Sequence, residues 1–180
     1  NAEEAAVKAA ELVALLPANN LAGAAVFESA APTGALNLAK YAAADAVKAL
    51  VDADSAVELY AGFGKNVITA LATVGGSVVG IVATEKALCR ECVSKTARFV
   101  RLCDAFSIPV VTAARLTGTY ADATTAKVAV VTGSAVGTAY TALANADLTI
   151  AVEGCTISAL DPKAAVTVLY KDELEKGNNI

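Results

Sequence analysis

The segment Gly133-Ser-Ala-Val-Gly-Thr-Ala-Tyr140 leaves the β-branched run Lys127-Val-Ala-Val-Val-Thr132 and enters residues that read as a short helix. Consecutive backbone N–H groups so placed converge beside the positive end of a helix, where a carbonyl oxygen gaining negative charge can be held. The simpler alternative is a glycine needed only for tight strand-to-helix packing.

Side-chain chemistry is narrower. The 180 residues contain no histidine, which removes Ser-His-Asp and Cys-His nucleophiles and leaves a serine hydrolase only a Ser-Lys pair. Cys89-Arg-Glu-Cys92 offers two of the four ligands of a tetrahedral zinc site, and no second close pair exists. Two ordinary thiols beside a helix start is a simpler reading than a metal or redox pair. Cys103 and Cys155 read as packing residues. Lys65, Lys95, Lys127, Arg115 and Asp122 read as solvated charges, although Arg115 is also placed to hold a carboxylate.

Positioning these groups falls to elements with two different periods. Phe99, Val100, Cys103 and Phe106 recur every three to four residues, the buried stripe of a helix from 94 to 106 with Ser94 as N-cap and Arg98, Arg101 and Asp104 on the wet side. Pro109 ends it, and Ile108, Val110, Val111 and Thr112 form a buried strand. Upstream, residues 2–16 predict an amphipathic helix stopped by Pro17, then irregular chain to about Gly34 and a second helix over about 40–52. Val57 and Leu59, Asn66–Thr73 and Ser77–Thr84 have strand composition. Gly75-Gly76 supplies the positive φ of a plain hairpin, since it precedes a strand rather than an anion-binding helix. Downstream, Asp147–Val152 and Thr156–Ser158 are strands, and Asp161-Pro162 opens a last helix.

The wording of the central stretch, KTARFVRLCDAFSIPVVT (95–112), is similar to the middle of the C-terminal half of biotin-dependent acyl-CoA carboxyltransferases, including propionyl-CoA carboxylase beta subunits and the related decarboxylase alpha subunits. The resemblance extends to Leu15-Leu-Pro-Ala-Asn-Asn20, Phe63-Gly-Lys-Asn-Val-Ile68, Val136-Gly-Thr-Ala-Tyr140 and Ala146-Asp-Leu-Thr149, covering roughly residues 10 to 171. It implies an α/β, crotonase-like spiral of repeated ββα units, with residues 1–56 as helices and linker and 57–180 as the core of one domain. It also implies that the Thr138 and Ala139 amides hold the biotin carbonyl, with Gly137, Gly118 and Arg115 lining the substrate. Thr138 stands where the family has glycine. After the Ile108–Thr112 strand the family carries Asp-x-Pro-Gly-Phe and a glutamate-bearing helix; here Arg115-Leu-Thr-Gly-Thr119 keeps only Gly118, and Tyr120-Ala-Asp122 runs almost directly into the next strand.

The implied activity is the carboxyltransferase step of a biotin-dependent acyl-CoA carboxylase or decarboxylase. Biotin would arrive on a biotin carboxyl carrier protein, acyl-CoA would be the substrate, and copies of the chain or a separately encoded N-half would complete the enzyme. The rivals are a non-catalytic structural subunit of the same fold and an acyl-CoA hydratase or isomerase relative. The last would need Asp122 and Glu153 as acid and base.

Composition fits this frame. An apolar content of 56% with mean hydropathy +0.56 predicts surfaces covered by other subunits, yet no apolar run reaches the roughly 18 residues of a membrane span. A net charge of -4 without a Lys/Arg cluster argues against nucleic acid. Irregularly spaced cysteines fit reduced thiols in a cytoplasm.

Overall fold

The computed structural model describes residues 1–35, 42–84, 89–113, 124–137, 140–141, 144–160 and 164. At its centre lies the hairpin of β2 (Val67–Val74) and β3 (Ser77–Thr84), paired antiparallel from Val67↔Thr84 to Val74↔Ser77. Both turn glycines have positive φ, 59° at Gly75 and 80° at Gly76, as a two-residue hairpin requires. A Cβ at Gly76 would collide with the Phe27 carbonyl oxygen. Asp52 clamps the turn: its carboxylate accepts the N–H groups of Gly75 (3.1 Å) and Gly76 (2.8 Å). These donors hold the Asp52 carboxyl below the usual carboxylate range, the Gly76 bond contributing most.

The hairpin is apolar on both faces because helices cover both. Val67, Leu71, Val78 and Val82 meet α3 (Arg90–Ala105), with Leu15 of α1 (Ala2–Leu15) in the same cluster. On the opposite face Ala72, Val79, Ile81 and Ala83 pack with Ala43 and Val47 of α2 (Ala43–Leu50). Gly80 sets the spacing to α3, since a Cβ there would fall on the Cys103 sulfur and against the Phe99 ring. Both side chains are fully buried.

The predicted stripe of α3 is correct, but its start is not. Cys89, not Ser94, is the N-cap, and the helix begins a turn earlier. At the other end Ser107 takes positive φ (56°), while the N–H groups of Ile108 and Ser107 reach the carbonyls of Cys103 (2.9 Å) and Asp104 (3.1 Å). This is a Schellman ending with serine in the glycine position and Ile108 as its buried contact. Pro109 then releases the chain into β4 (Val110–Ala113), which lies parallel to β3 in the register Gly80↔Val110.

β5 (Lys127–Val131) and β7 (Leu148–Ala151) extend the sheet in parallel, and β1 (Val57–Glu58) closes the other edge, giving the order β1-β2-β3-β4-β5-β7. β6 (Ser134–Val136) and β8 (Thr156–Ser158) form a separate parallel pair. Two charges expected in solvent are inside. Lys95 is buried and donates to the Val67 carbonyl (2.8 Å), with Glu58 at 3.6 Å; Lys127 is buried beside Thr125 and Asp147. Their long apolar stems fill space while each ammonium finds an oxygen at the rim. Among the described residues no helix is long and apolar enough to cross a membrane. The helix expected from Asp161-Pro162 lies outside the described residues apart from Ala164, which is helical.

Candidate functional site

Between β5 and the first helical residues the chain does not turn directly into a helix, as the sequence predicts, but first makes β6. Gly133 and Gly137 bracket that strand and prolong its pairing. The Gly133 carbonyl accepts the Thr156 N–H (3.0 Å), and the Gly137 N–H donates to the Ser158 carbonyl (3.2 Å). The N–H of Gly137 is therefore spent on the sheet. The φ of Gly137 is +64°, and a Cβ at Gly137 or Gly133 would meet nothing within 4 Å among the described residues.

Directly after Gly137 the bonding becomes helical. Its carbonyl accepts the Thr141 N–H (3.1 Å), and that of Tyr140 accepts the Ala144 N–H (3.0 Å). Further contacts fix this turn: the Asn145 side chain donates to the Thr141 carbonyl (3.0 Å), and Asp147 accepts the Lys127 N–H (2.7 Å) at the head of β5. Thr138 and Ala139 themselves lie outside the described residues, as do Arg115, Gly118 and Asp122. Glu153 is exposed in the turn between β7 and β8.

Just ahead of β5, the backbone at residues 124 and 125 is held by Asp104 at the end of α3. Its Oδ1 accepts the Thr124 N–H (2.7 Å), the Thr124 hydroxyl (2.8 Å) and the Thr125 N–H (3.1 Å). The Thr124 hydroxyl is foremost among the donors that hold the Asp104 carboxyl below its usual range. Asp104, read as a solvated helix charge, thus anchors the strand that leads to the site. The sequence carries a faint sign of it in the Thr124-Thr125 pair, two side chains that readily bond a carboxylate.

Among the described residues no three or more His, Cys, Asp or Glu gather to hold a metal ion. The Cys89 thiol caps α3 and is exposed, Cys92 and Cys103 are buried, and Cys155 is half-buried. Burial pushes the Cys103 thiol up to about 12, which leaves it an inert packing group.

Comparison with known proteins gives this architecture a family. The carboxyl transferase domain family matches residues 1–121. The chain is 30% identical to the biotin-dependent acetyl-/propionyl-coenzyme A carboxylase beta5 subunit of Mycobacterium tuberculosis (strain CDC 1551 / Oshkosh), covering 88% of this chain and 36% of that protein. That alignment runs to 203 positions, longer than the chain itself, so the relative carries segments this chain lacks. The methylmalonyl-CoA decarboxylase subunit alpha of Propionigenium modestum is 29% identical over 73% of this chain and 31% of its own length. The crystal structure of transcarboxylase 12S, with methylmalonyl-coenzyme A and methylmalonic acid bound, superposes with TM-score 0.79 at 27% identity, over 94% of this chain and 40% of that one. This chain therefore spans about a third of the length of the curated relatives it matches. With a mixed sheet flanked by helices, a second small sheet, and a sequence match over its first two thirds, the chain has the crotonase-like fold and belongs to the carboxyl transferase domain family.

Proposed function

We propose that the chain is the biotin-side half of the carboxyltransferase in a biotin-dependent acyl-CoA carboxylase or decarboxylase. The observation that carries this reading is the helical turn opening on Gly137. The bond of the Thr141 N–H onto the Gly137 carbonyl marks a helix start, and the first N–H groups of a helix have no partner within it. The lack of any described atom within 4 Å of a Cβ at Gly133 or Gly137 fits a flat ring approaching along the backbone. The Thr138 and Ala139 amides then hold the ring carbonyl oxygen of biotin, while Arg115 and Gly118 border the substrate carboxylate. Biotin, delivered on its carrier protein, supplies the carboxyl group that is exchanged with acyl-CoA. The chain's part is to fix that oxygen and stabilise the charge it gains.

Acyl-CoA as substrate is supported by the methylmalonyl-coenzyme A bound in transcarboxylase 12S, and self-assembly by the hexamer described for that protein. Completion of the site falls to further copies or to a separate N-half, in the cytoplasm. The test is carboxyl transfer by the chain combined with its carrier and N-half, with Thr138→Pro as the informative variant. Deleting this donor is expected to lower the rate by about a hundredfold or more, with circular dichroism confirming that the fold is kept. A wild-type complex that assembles but transfers no carboxyl group would leave the structural-subunit role.

A further inference from the structure

The first turn of α3 carries a second reactive group that carboxyl transfer does not use. Cys89 caps the helix, its Sγ accepting the Cys92 N–H at 3.3 Å. Their surroundings are unequal. Cys89 is exposed and Cys92 fully buried. An N-cap and the third helical residue are about one turn apart, inside the Cα separation of roughly 4.4–6.8 Å that a disulfide spans. The Cys89 sulfur already lies over the Cys92 backbone, 3.3 Å from its N.

We propose that Cys89 and Cys92 form a reversible dithiol–disulfide site that reacts with small-molecule disulfides, Cys89 attacking and Cys92 resolving. The Cys92 thiol and then the Cys92 N–H hold the Cys89 thiol below its usual range, against the nearby Glu91 carboxylate. Burial first, and the Cys89 thiol second, push Cys92 above its own. The thiolate is the nucleophile, so the accessible sulfur is also the activated one. In the first step the Cys89 thiolate attacks one sulfur of the small disulfide, forming a mixed disulfide and expelling one thiolate. In the second, Cys92 loses its proton to solvent and attacks the Cys89 sulfur, closing the ring and expelling the second thiolate. Two protein thiols are oxidised and one disulfide is reduced.

Closure would be felt beyond the helix. Gly64, at φ +55°, lies so close that a Cβ there would sit 3.2 Å from the Cys92 Cα and N. The turn leading into β2 therefore rests on the resolving cysteine. This site stands independently of the carboxyl-transfer reading.

The test is to equilibrate the purified full chain in glutathione buffers of graded oxidation, trap free thiols by alkylation and map them by mass spectrometry. The expected product is a Cys89–Cys92 disulfide lacking two hydrogens, reversed by excess reduced glutathione, while Cys103 stays alkylatable only after unfolding. In Cys92→Ser the reaction is expected to stop at a glutathione adduct on Cys89; in Cys89→Ser, Cys92 stays unmodified in the folded protein. A wild-type chain that accumulates a stable adduct on Cys89 without closing, or in which Cys155 reacts and the pair does not, overturns the proposal, and this measurement needs no variant to fold.

Discussion

The β2–β3–α3–β4 region and the β5–β8 region share one chain but differ in how far they are finished. In the first, the hairpin strands are buried along nearly their whole length, with helices on both faces. In the second, every residue of β7 is exposed, with Leu148 at 54% and Ile150 at 47%, and Ile157 and Leu160 bare as well. Both regions are equally apolar in sequence. A β-branched run therefore reports that a strand is meant to be covered, and says nothing about which chain supplies the cover. The candidate site lies in the uncovered region, which accords with a reaction centre completed by another subunit.

The comparison can be pressed hardest at Phe99, which joins α3 to the hairpin. Phe99→Ala is expected to destabilise the chain by about 3–5 kcal/mol, the usual cost of emptying a closed aromatic site, read as the shift in a urea denaturation midpoint. A loss below about 1 kcal/mol would mean that this region, too, depends on outside contacts. Acid titration gives a middle-sized effect. The folded Asp52 carboxyl lies below its ordinary value of 3.8, so its contribution is complete above that value and vanishes as pH falls through the lower folded one. Asp52→Asn is expected to melt on the order of 5 °C lower at neutral pH, with the two melting curves converging well below pH 4; parallel curves at all pH values would show that the charge is irrelevant to the turn. The smallest effect is expected in β7. Ile150→Ser should change the stability of the isolated chain by only about 0.5 kcal/mol, yet lower the mass seen by light scattering at micromolar concentration. A wild-type chain that stays monomeric there would show that copies of itself do not cover β7.

Period and punctuation carried much of this fold into the sequence. The stripe of α3, the stop at Pro109 and the Gly75-Gly76 reversal are local signals, each satisfied by neighbours a few residues away. β6 was not legible because its three residues gain strand character only by pairing with β8, some twenty residues further on. The cap was missed because serine is the commoner capping residue, whereas Cys89 caps through sulfur. Lys95 was misplaced because a buried ammonium depends on partners far along the chain, here the Val67 carbonyl and Glu58. At the candidate site, Gly137 could be picked out as a turn, but that its N–H is spent on Ser158 depends on the same unseen pairing.

Gly80 has a consequence for how this sequence can vary. Because the Cys103 sulfur and the Phe99 ring occupy the place of its missing side chain, strand and helix are matched as a bump to a hollow. An alanine at 80 alone overfills the joint, and a smaller residue at 103 alone leaves a void. Made together, the two changes compensate, so their costs do not add. Relatives that carry a side chain at the position of Gly80 should have given up volume on the facing turn of α3, and that paired exchange would mark the contact in sequence alone.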